Sequence, residues 1–520
     1  MGNLLLRFST FCFVLLCSFK SSANQCSEIF MKSQTLTTSQ NQQLPFIRSP
    51  GKMRMYFLLT RMFSSGNFDA LRRALPSLEA MQINTLLVSP PNPQSTNYHP
   101  IRGRNNHGYW ISSHSEIDPV MGGEAGFNRL VSEASHRGIR IAVDAVLNQF
   151  GYGKYFQLGE KTISIDDPAY FIQPASLGAS GRPRAYEILD QMETGVDKQT
   201  LLRLKTELEQ LPLYELPTLR HDNPEVFRYL VDSYKTFVDR GIEVFRIDAA
   251  KHISSDVLSR FMNELNDHAF AQGKKLIFIS EFIAQNSHNF GIFVKELLAK
   301  VKDTDSVQFY DFTMRAEFIR LQDANYQFSW MMDFLRYREA DRQPEKRYIP
   351  VIEDHDFGHP IHNRFMSKLI HVASDFFSYN SPVLYHGSEQ TIQTGQTRTN
   401  RQALNQVNPS GDLGEIHSKL AQVLAPYRQM KSRLETKSHV ANGDHLIVEK
   451  KLSDQRSVFI IANKGNGNLS FDVPLMGTLR ASMKVHVRDG DAVAELKPGG
   501  RSLNLNVNGN GILVLEVVRE

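Results

Sequence analysis

Residues 224–252 read PEVFRYLVDSYKTFVDRGIEVFRIDAAKH, and the two halves of this stretch follow different periods. Up to Gly241 the apolar residues recur every three or four positions behind a proline, the pattern of an amphipathic helix. IEVFRI is then a short apolar run rich in branched and aromatic residues, the pattern of a buried strand. The strand ends in polar residues: Asp248, Lys251 and His252 follow at once. A helix leading into a buried strand with a polar end is one unit of a repeating α/β architecture.

The same alternation runs outward in both directions. Upstream lie MRMYFLLT (53–60), FDALRRALPSLEAMQ (68–82), NTLLVSP (84–90), GFNRLVSEASHRG (126–138) and IRIAVDAVLN (139–148), which read strand, helix, strand, helix, strand. Downstream lie the strand-like runs LIFISEF (276–282), SVQFYDF (306–312), YIPVIEDHD (348–356) and SPVLYHGSEQ (381–390). About eight such strands favour a closed (β/α)8 barrel over an open doubly wound sheet, and no glycine fingerprint for a dinucleotide supports the open form. Residues 150–215 break the rhythm with glycine, proline and polar residues around one helical stretch, KQTLLRLKTELEQL (198–211), and are expected to form a subdomain overhanging the barrel mouth. The barrel with this insertion is placed at 53–437. From 438 to 520 the pattern becomes short strands, HLIVEKKL, RSVFIIANK, MKVHVRDG and GILVLEVV, with Asn-Gly and Asp-Gly turns, which predicts an antiparallel β-sandwich.

At 520 residues the chain is long enough for a large barrel and an added module. Its 22% charged and 41% hydrophobic residues suit a globular enzyme. With a formal charge of +4 and no basic run to track phosphates, nucleic acid is not an expected partner. Residues 1–23 place Arg7 before an apolar stretch and small residues, which reads as a signal peptide and predicts a secreted or periplasmic protein. The stretch is too short and too broken by Ser and Thr for a membrane span. A start at Met31 would instead require delivery without a signal. Residues 24–52 are a polar lead-in. Cys12 and Cys17 lie within the signal, so cleavage leaves Cys26 alone and excludes a disulfide framework.

In a barrel, residues at the C-terminal ends of the strands converge on one mouth. Here these are Asp144 and Asn148, then Arg246, Asp248, Lys251 and His252, then Glu281, then His355 and Asp356. Cleaving a glycosidic bond requires one neutral carboxyl group to protonate the leaving oxygen and one carboxylate to attack the sugar carbon. Burial beside other carboxylates keeps an acid neutral, and Arg246, two positions before Asp248 on the same strand face, would hold that carboxylate ionised.

These segments resemble, in order, the four signature regions of the α-amylase family, glycoside hydrolase family 13: DAVLNQ (144–149), FRIDAAKH (245–252), ISEF (279–282) and DHD (354–356). HGYW (107–110), IDPVMGG (117–123), LPTL (216–219), PVLYHGSEQ (382–390) and NRQAL (400–404) match as well. The resemblance implies Asp248 as nucleophile, Glu281 as acid/base and Asp356 as stabiliser of the transition state. It implies a substrate-binding set of His107, Tyr109, Asp144, Gln149, Arg246, Lys251, His252, His355 and Arg401, with Tyr109 stacking on a sugar ring and Trp110 in the core. Lys251 and His252 point to maltooligosaccharides or α-glucan polysaccharides rather than sucrose or trehalose.

Three positions depart from the family pattern. Gln149 replaces a histidine, which implies altered specificity. Asp354 replaces an asparagine, adding a charge expected to raise neighbouring pKa values and favour an acidic optimum. Thr218 replaces an aspartate that helps hold calcium in many relatives; Asn148 retains another ligand, so calcium is a weaker expectation and no organic cofactor is expected. With only two tryptophans, the sandwich reads as structural rather than starch-binding. The expected protein is a monomeric hydrolase of α-1,4-glucosidic bonds in starch- or glycogen-type glucans. The alternatives are an exo-acting or α-glucosidase-like enzyme, a transglycosylase, or a carbohydrate-binding member with little catalysis.

Overall fold

The computed structural model describes residues 52–95, 107–173, 181–213, 216–341, 347–357, 363–390, 404–424, 436–475, 481–498 and 501–519. The signal-like segment, Met31, the lead-in before residue 52 and Arg401 lie outside the described residues.

The chain opens with β1 (Met55–Leu58), α1 (Phe68–Ala80), β2 (Thr85–Val88), α2 (Gly123–His136) and β3 (Arg140–Ala145). A hairpin of β4 (Tyr155–Leu158) and β5 (Lys161–Ser164) and two helices, α3 (Arg184–Glu193) and α4 (Lys198–Leu208), come next. Then follow α5 (Pro224–Asp239), β6 (Val244–Ile247), α6 (Ser255–Ala271), β7 (Ile277–Ser280), α7 (Ser287–Leu298) and β8 (Val307–Asp311). The barrel region ends with α8 (Phe312–Ile319), α9 (Phe328–Asp341), β9 (Tyr348–Pro350), α10 (Arg364–Phe377), β10 (Leu384–Tyr385) and α11 (Asp412–Leu424).

Eight strands pair in parallel in the order β10-β1-β2-β3-β6-β7-β8-β9. The two ends of this order meet where Val383 N–H donates to Pro350 O at 2.9 Å, so the sheet curls into the expected (β/α)8 barrel. Alternation along each strand divides the core. Met55, Phe57, Leu87, Ala142, Val244 and Ile279 fill the barrel interior, while Tyr56, Leu86, Val143, Phe245 and Phe278 face the surrounding helices. Arg246 shares the inward parity of Val244, and Asp144 that of Ala142. Side-chain caps mark where the helices begin: Asn67, Asp197, Asn223, Ser254 and Asn286 each accept a hydrogen bond from the first turn of α1, α4, α5, α6 and α7.

The C-terminal part holds β11 (Thr436–Ala441), β12 (His445–Ser453), β13 (Arg456–Asn463), β14 (Leu469–Pro474), β15 (Ala481–Asp489), β16 (Ala492–Leu496), β17 (Ser502–Val507) and β18 (Gly511–Arg519). They form a five-stranded sheet, β11-β12-β13-β18-β15, and a three-stranded one, β14-β17-β16. Ile447, Phe459, Ile461, Leu513 and Leu515 lie between the two sheets, whereas Leu446, Val448, Val458, Ile460, Ile512 and Val514 join the core shared with the barrel helices. That double burial is why β13 and β18 read as almost unbroken apolar runs. LSFDVP and SLNLNV, which became β14 and β17, carry polar residues at alternate positions on the exposed face and were not expected as strands. No helix among the described residues is long and apolar enough to cross a membrane.

Candidate active site

β3, β6 and β7 are neighbours in the barrel, so the residues that end them meet at its C-terminal mouth. Arg246 is the hub. Its Nη1 donates to Asp144 Oδ1 and to Asp248 Oδ1, both at 2.7 Å, and its Nη2 donates to Glu281 Oε1. Its guanidinium also lies 5.9 Å from the centre of the Tyr109 ring and 5.7 Å from that of Tyr310. Directly after Asp248 the backbone turns through Ala249 in the left-handed region (φ 49°, ψ 35°), unusual for a residue with a Cβ. The turn aims the Ala249 N–H at Glu281 Oε2, 3.0 Å away. Backbone strain and a buried ion cluster thus coincide at one point.

Three buried carboxylates share one cation, and the balance of forces is legible group by group. Burial pushes the Asp248 carboxyl up to about 7; Arg246 opposes this, while Asp144 and Asp356 reinforce it. Burial likewise raises Glu281 well above the usual carboxylate range, again opposed by Arg246 and reinforced by Asp248 and Asp356. Asp144 is also raised by burial. Burial works against the charge of Arg246, but the surrounding carboxylates outweigh it and keep the guanidinium protonated. The arrangement can hold one neutral acid beside one carboxylate, which is the requirement of two-carboxylate glycoside chemistry.

The other predicted residues fall into two groups. On one side His107, Tyr109 and His355 form an aromatic pile: Tyr109 stacks on His355 at 4.8 Å with 8° between the rings, and His107 stacks on Tyr109 at 5.6 Å. The Tyr109 hydroxyl donates to Asp144 Oδ2 at 2.5 Å, so the pile is tied to the ion cluster. Trp110 is buried against the edge of His107, in the core position expected of it. Asp356 is exposed at the rim, its Oδ2 3.5 Å from His355 Nε2. Asp354 fixes that turn by accepting from the backbone N–H of Asp356 and of Phe357, at 2.9 and 2.8 Å. Burial and the Asp356 charge push Asp354 up to about 6. On the other side Lys251 is buried, with Nζ donating to Ile283 O. Burial and the nearby Lys251 hold His252 neutral, with a pKa down at about 3. Gln149 is buried in a backbone bridge with Thr218.

Two neighbours of this cluster escaped the sequence reading. Tyr310 sits in a run read only as a strand, and its inward parity was the signal that could have found it. Glu193, at the end of α3, lies 3.8 Å from Lys251 Nζ, a contact that no local pattern announces.

The described residues do not fit a calcium ion, which takes about six to eight oxygen ligands and favours carboxylates. Both polar atoms of the buried Asn148 amide lack a hydrogen-bond partner. Yet the Thr218 hydroxyl is engaged with Leu216 O and Leu213 N, and no group of three His, Cys, Asp or Glu side chains among the described residues is placed to hold a metal.

Comparison with known proteins yields a consistent pattern. A family model described as the α-amylase catalytic domain matches residues 13–410. A cyclomaltodextrin glucanotransferase of Bacillus sp. (strain 17-1) is 24% identical over 441 residues, covering 79% of this chain and 56% of that protein. Alpha-amylase 2 of Dictyoglomus thermophilum is 27% identical over 333 residues, covering 62% of this chain and 49% of that protein. The chain therefore spans about half the length of these curated relatives. Among solved structures, the α-amylase of Geobacillus thermoleovorans complexed with acarbose superposes with a TM-score of 0.67 at 18% identity, covering 90% of this chain and 98% of that one. A γ-cyclodextrin glucanotransferase from alkalophilic Bacillus clarkii superposes with a TM-score of 0.70 at 19% identity, covering 90% of this chain and 71% of that one. At such identities the structural likeness establishes the fold alone.

Proposed function

The chain belongs to the α-amylase catalytic-domain family, and from that premise we propose that it hydrolyses α-1,4-glucosidic bonds of starch- or glycogen-type glucans and maltooligosaccharides with retention of configuration. The observation that carries this reading is the single guanidinium of Arg246 hydrogen-bonded to both Asp248 and Glu281 at adjacent strand ends. In the proposed reaction Glu281 gives its proton to the glycosidic oxygen as the bond to the anomeric carbon breaks. An Asp248 carboxylate oxygen attacks that carbon and forms a glycosyl–enzyme ester. Glu281, now a carboxylate, takes a proton from water, and the water oxygen displaces Asp248. Asp356, at the rim, adds negative charge facing the cationic sugar of each transition state, and Asp144, Tyr109, His107 and His355 line the side where the bound sugar ring would lie. No step runs through calcium.

The names of the glucanotransferase relatives favour a second reading, in which a sugar hydroxyl rather than water attacks the same ester. A timed product profile from glycogen and maltoheptaose, with Asp248→Asn as control, separates these outcomes. Mixed short maltooligosaccharides appearing early, and at least about a thousandfold slower in the variant, are expected for the hydrolase. Products longer than the substrate, or cyclic, would indicate transfer. Glucose alone from the outset would indicate exo-action, and products insensitive to the substitution would refute the proposed nucleophile.

A further inference from the structure

The helices of the β3–β6 connection are anchored beside the chemistry. α4 packs against the short turn Ala250–His252 that follows the nucleophile strand and against α7. Ile188, Met192, Leu201, Leu204 and Leu208 are buried in the same core as Ile253 and Phe282. At the end of α3, Asn289 Nδ2 donates to Met192 O, and the next residue, Glu193, reaches two loops at once. Its Oε2 accepts from Gln285 N–H at 3.0 Å, in the loop after the acid strand. Its Oε1 faces Lys251 Nζ at 3.8 Å.

That separation is informative. It exceeds the roughly 2.7–3.2 Å of a direct hydrogen bond, yet it is short enough for one oxygen to sit about 2.8 Å from both partners. A hydroxyl there would accept from the ammonium and donate to the carboxylate, making two charge-assisted bonds. The partners differ in access: the Lys251 side chain is 7% exposed and locked onto Ile283 O, whereas Glu193 is 33% exposed and open to an incoming molecule. Both attach to the segment Ile283–Gln285, immediately beyond Glu281, the residue that would protonate the departing sugar.

We propose that Glu193 is a specificity-determining residue which joins Lys251, assigned to the leaving-group side by the family resemblance, in gripping a hydroxyl of the sugar unit beyond the cut bond. The inference rests on the hydrolase reading above and extends it to a residue outside the barrel strands. The clamp ties the inserted helices α3 and α4 to substrate length, because only a glucan with a sugar beyond the cut can use it.

The test compares kcat/KM for maltoheptaose with kcat/KM for α-maltotriosyl fluoride, whose leaving group carries no hydroxyl. Glu193→Gln retains an acceptor for Gln285 N–H and removes only the charge. The ratio of the two constants, maltoheptaose over fluoride, is expected to fall about tenfold, the usual loss for one charge-assisted hydrogen bond. In a Lys251→Gln background the same substitution is expected to lower the ratio by less than twofold, because the clamp is already open. An unchanged ratio, including an equal fall on both substrates as a merely structural role would produce, overturns the clamp. A native protein that turns over neither substrate overturns the hydrolase reading, and the clamp with it.

Discussion

Arg246 is the residue on which the site turns, because one cation serves three buried carboxylates and cannot neutralise them all. Burial and the excess negative charge together push Asp248 up to about 7 and raise Glu281 well above the usual carboxylate range. Both protons are therefore held more tightly than on a free carboxyl group, and the proposed reaction needs Asp248 to lose its proton while Glu281 keeps its own. The sign of this effect argues for a higher optimum than the acidic one expected from Asp354. Raising a nucleophile's pKa moves the acidic limb of activity upward, since the group must lose its proton to act. The pH profile of kcat/KM for maltoheptaose is accordingly expected to fall below about pH 7, where Asp248 takes up its proton. Full activity persisting down to pH 5 would sink this account. Asp354 belongs to the same scale: its charge was visible in the sequence, but its part in capping the Asp356 turn was not.

At the scale of elements, the hairpin of α3 and α4 shows how far periodicity reaches. The apolar spacing of 198–211 announced α4, and Asp197 caps it through Thr200 N–H at 3.0 Å. α3 is shorter, with only Ala185, Ile188 and Met192 buried, too few repeats to stand out. Leu204 is fully buried where the hairpin meets the barrel core. Leu204→Ala is expected to cost about 2–4 kcal/mol in urea unfolding, from lost burial and the cavity left behind. A loss under about 1 kcal/mol would mean that the hairpin rests loosely on the barrel. The C-terminal strands repeat the lesson. β13 and β18, apolar on both faces, were readable, as was β15 from its alternation, whereas β14 and β17, short and half polar, needed their partner strands to be recognised.

At the scale of the whole molecule, the five-stranded sheet presents one apolar face to β14, β16 and β17 and the other to the barrel helices. Ile460, fully buried on the barrel-facing side, belongs to the core it shares with α10 and α11. Barrel and sandwich are therefore expected to unfold together, and Ile460→Val to lower one common calorimetric transition by about 1 kcal/mol at its midpoint. Two separated transitions, only one of them shifted, would show that the shared core does not couple them. The division of information follows the same physics. The barrel and the candidate set Asp144, Arg246, Asp248, Glu281 and Asp356 at its mouth were legible in the sequence itself, because strand alternation and a polar strand end are written within a few adjacent residues. Only the tertiary structure decided that Tyr310 flanks Arg246, that Tyr109 stacks on His355, that Glu193 faces Lys251 and that Asp248 and Glu281 are both raised above the usual carboxylate range. These depend on distance and burial between segments far apart in the chain, and a carboxylate's affinity for its proton is set by whatever surrounds it after folding.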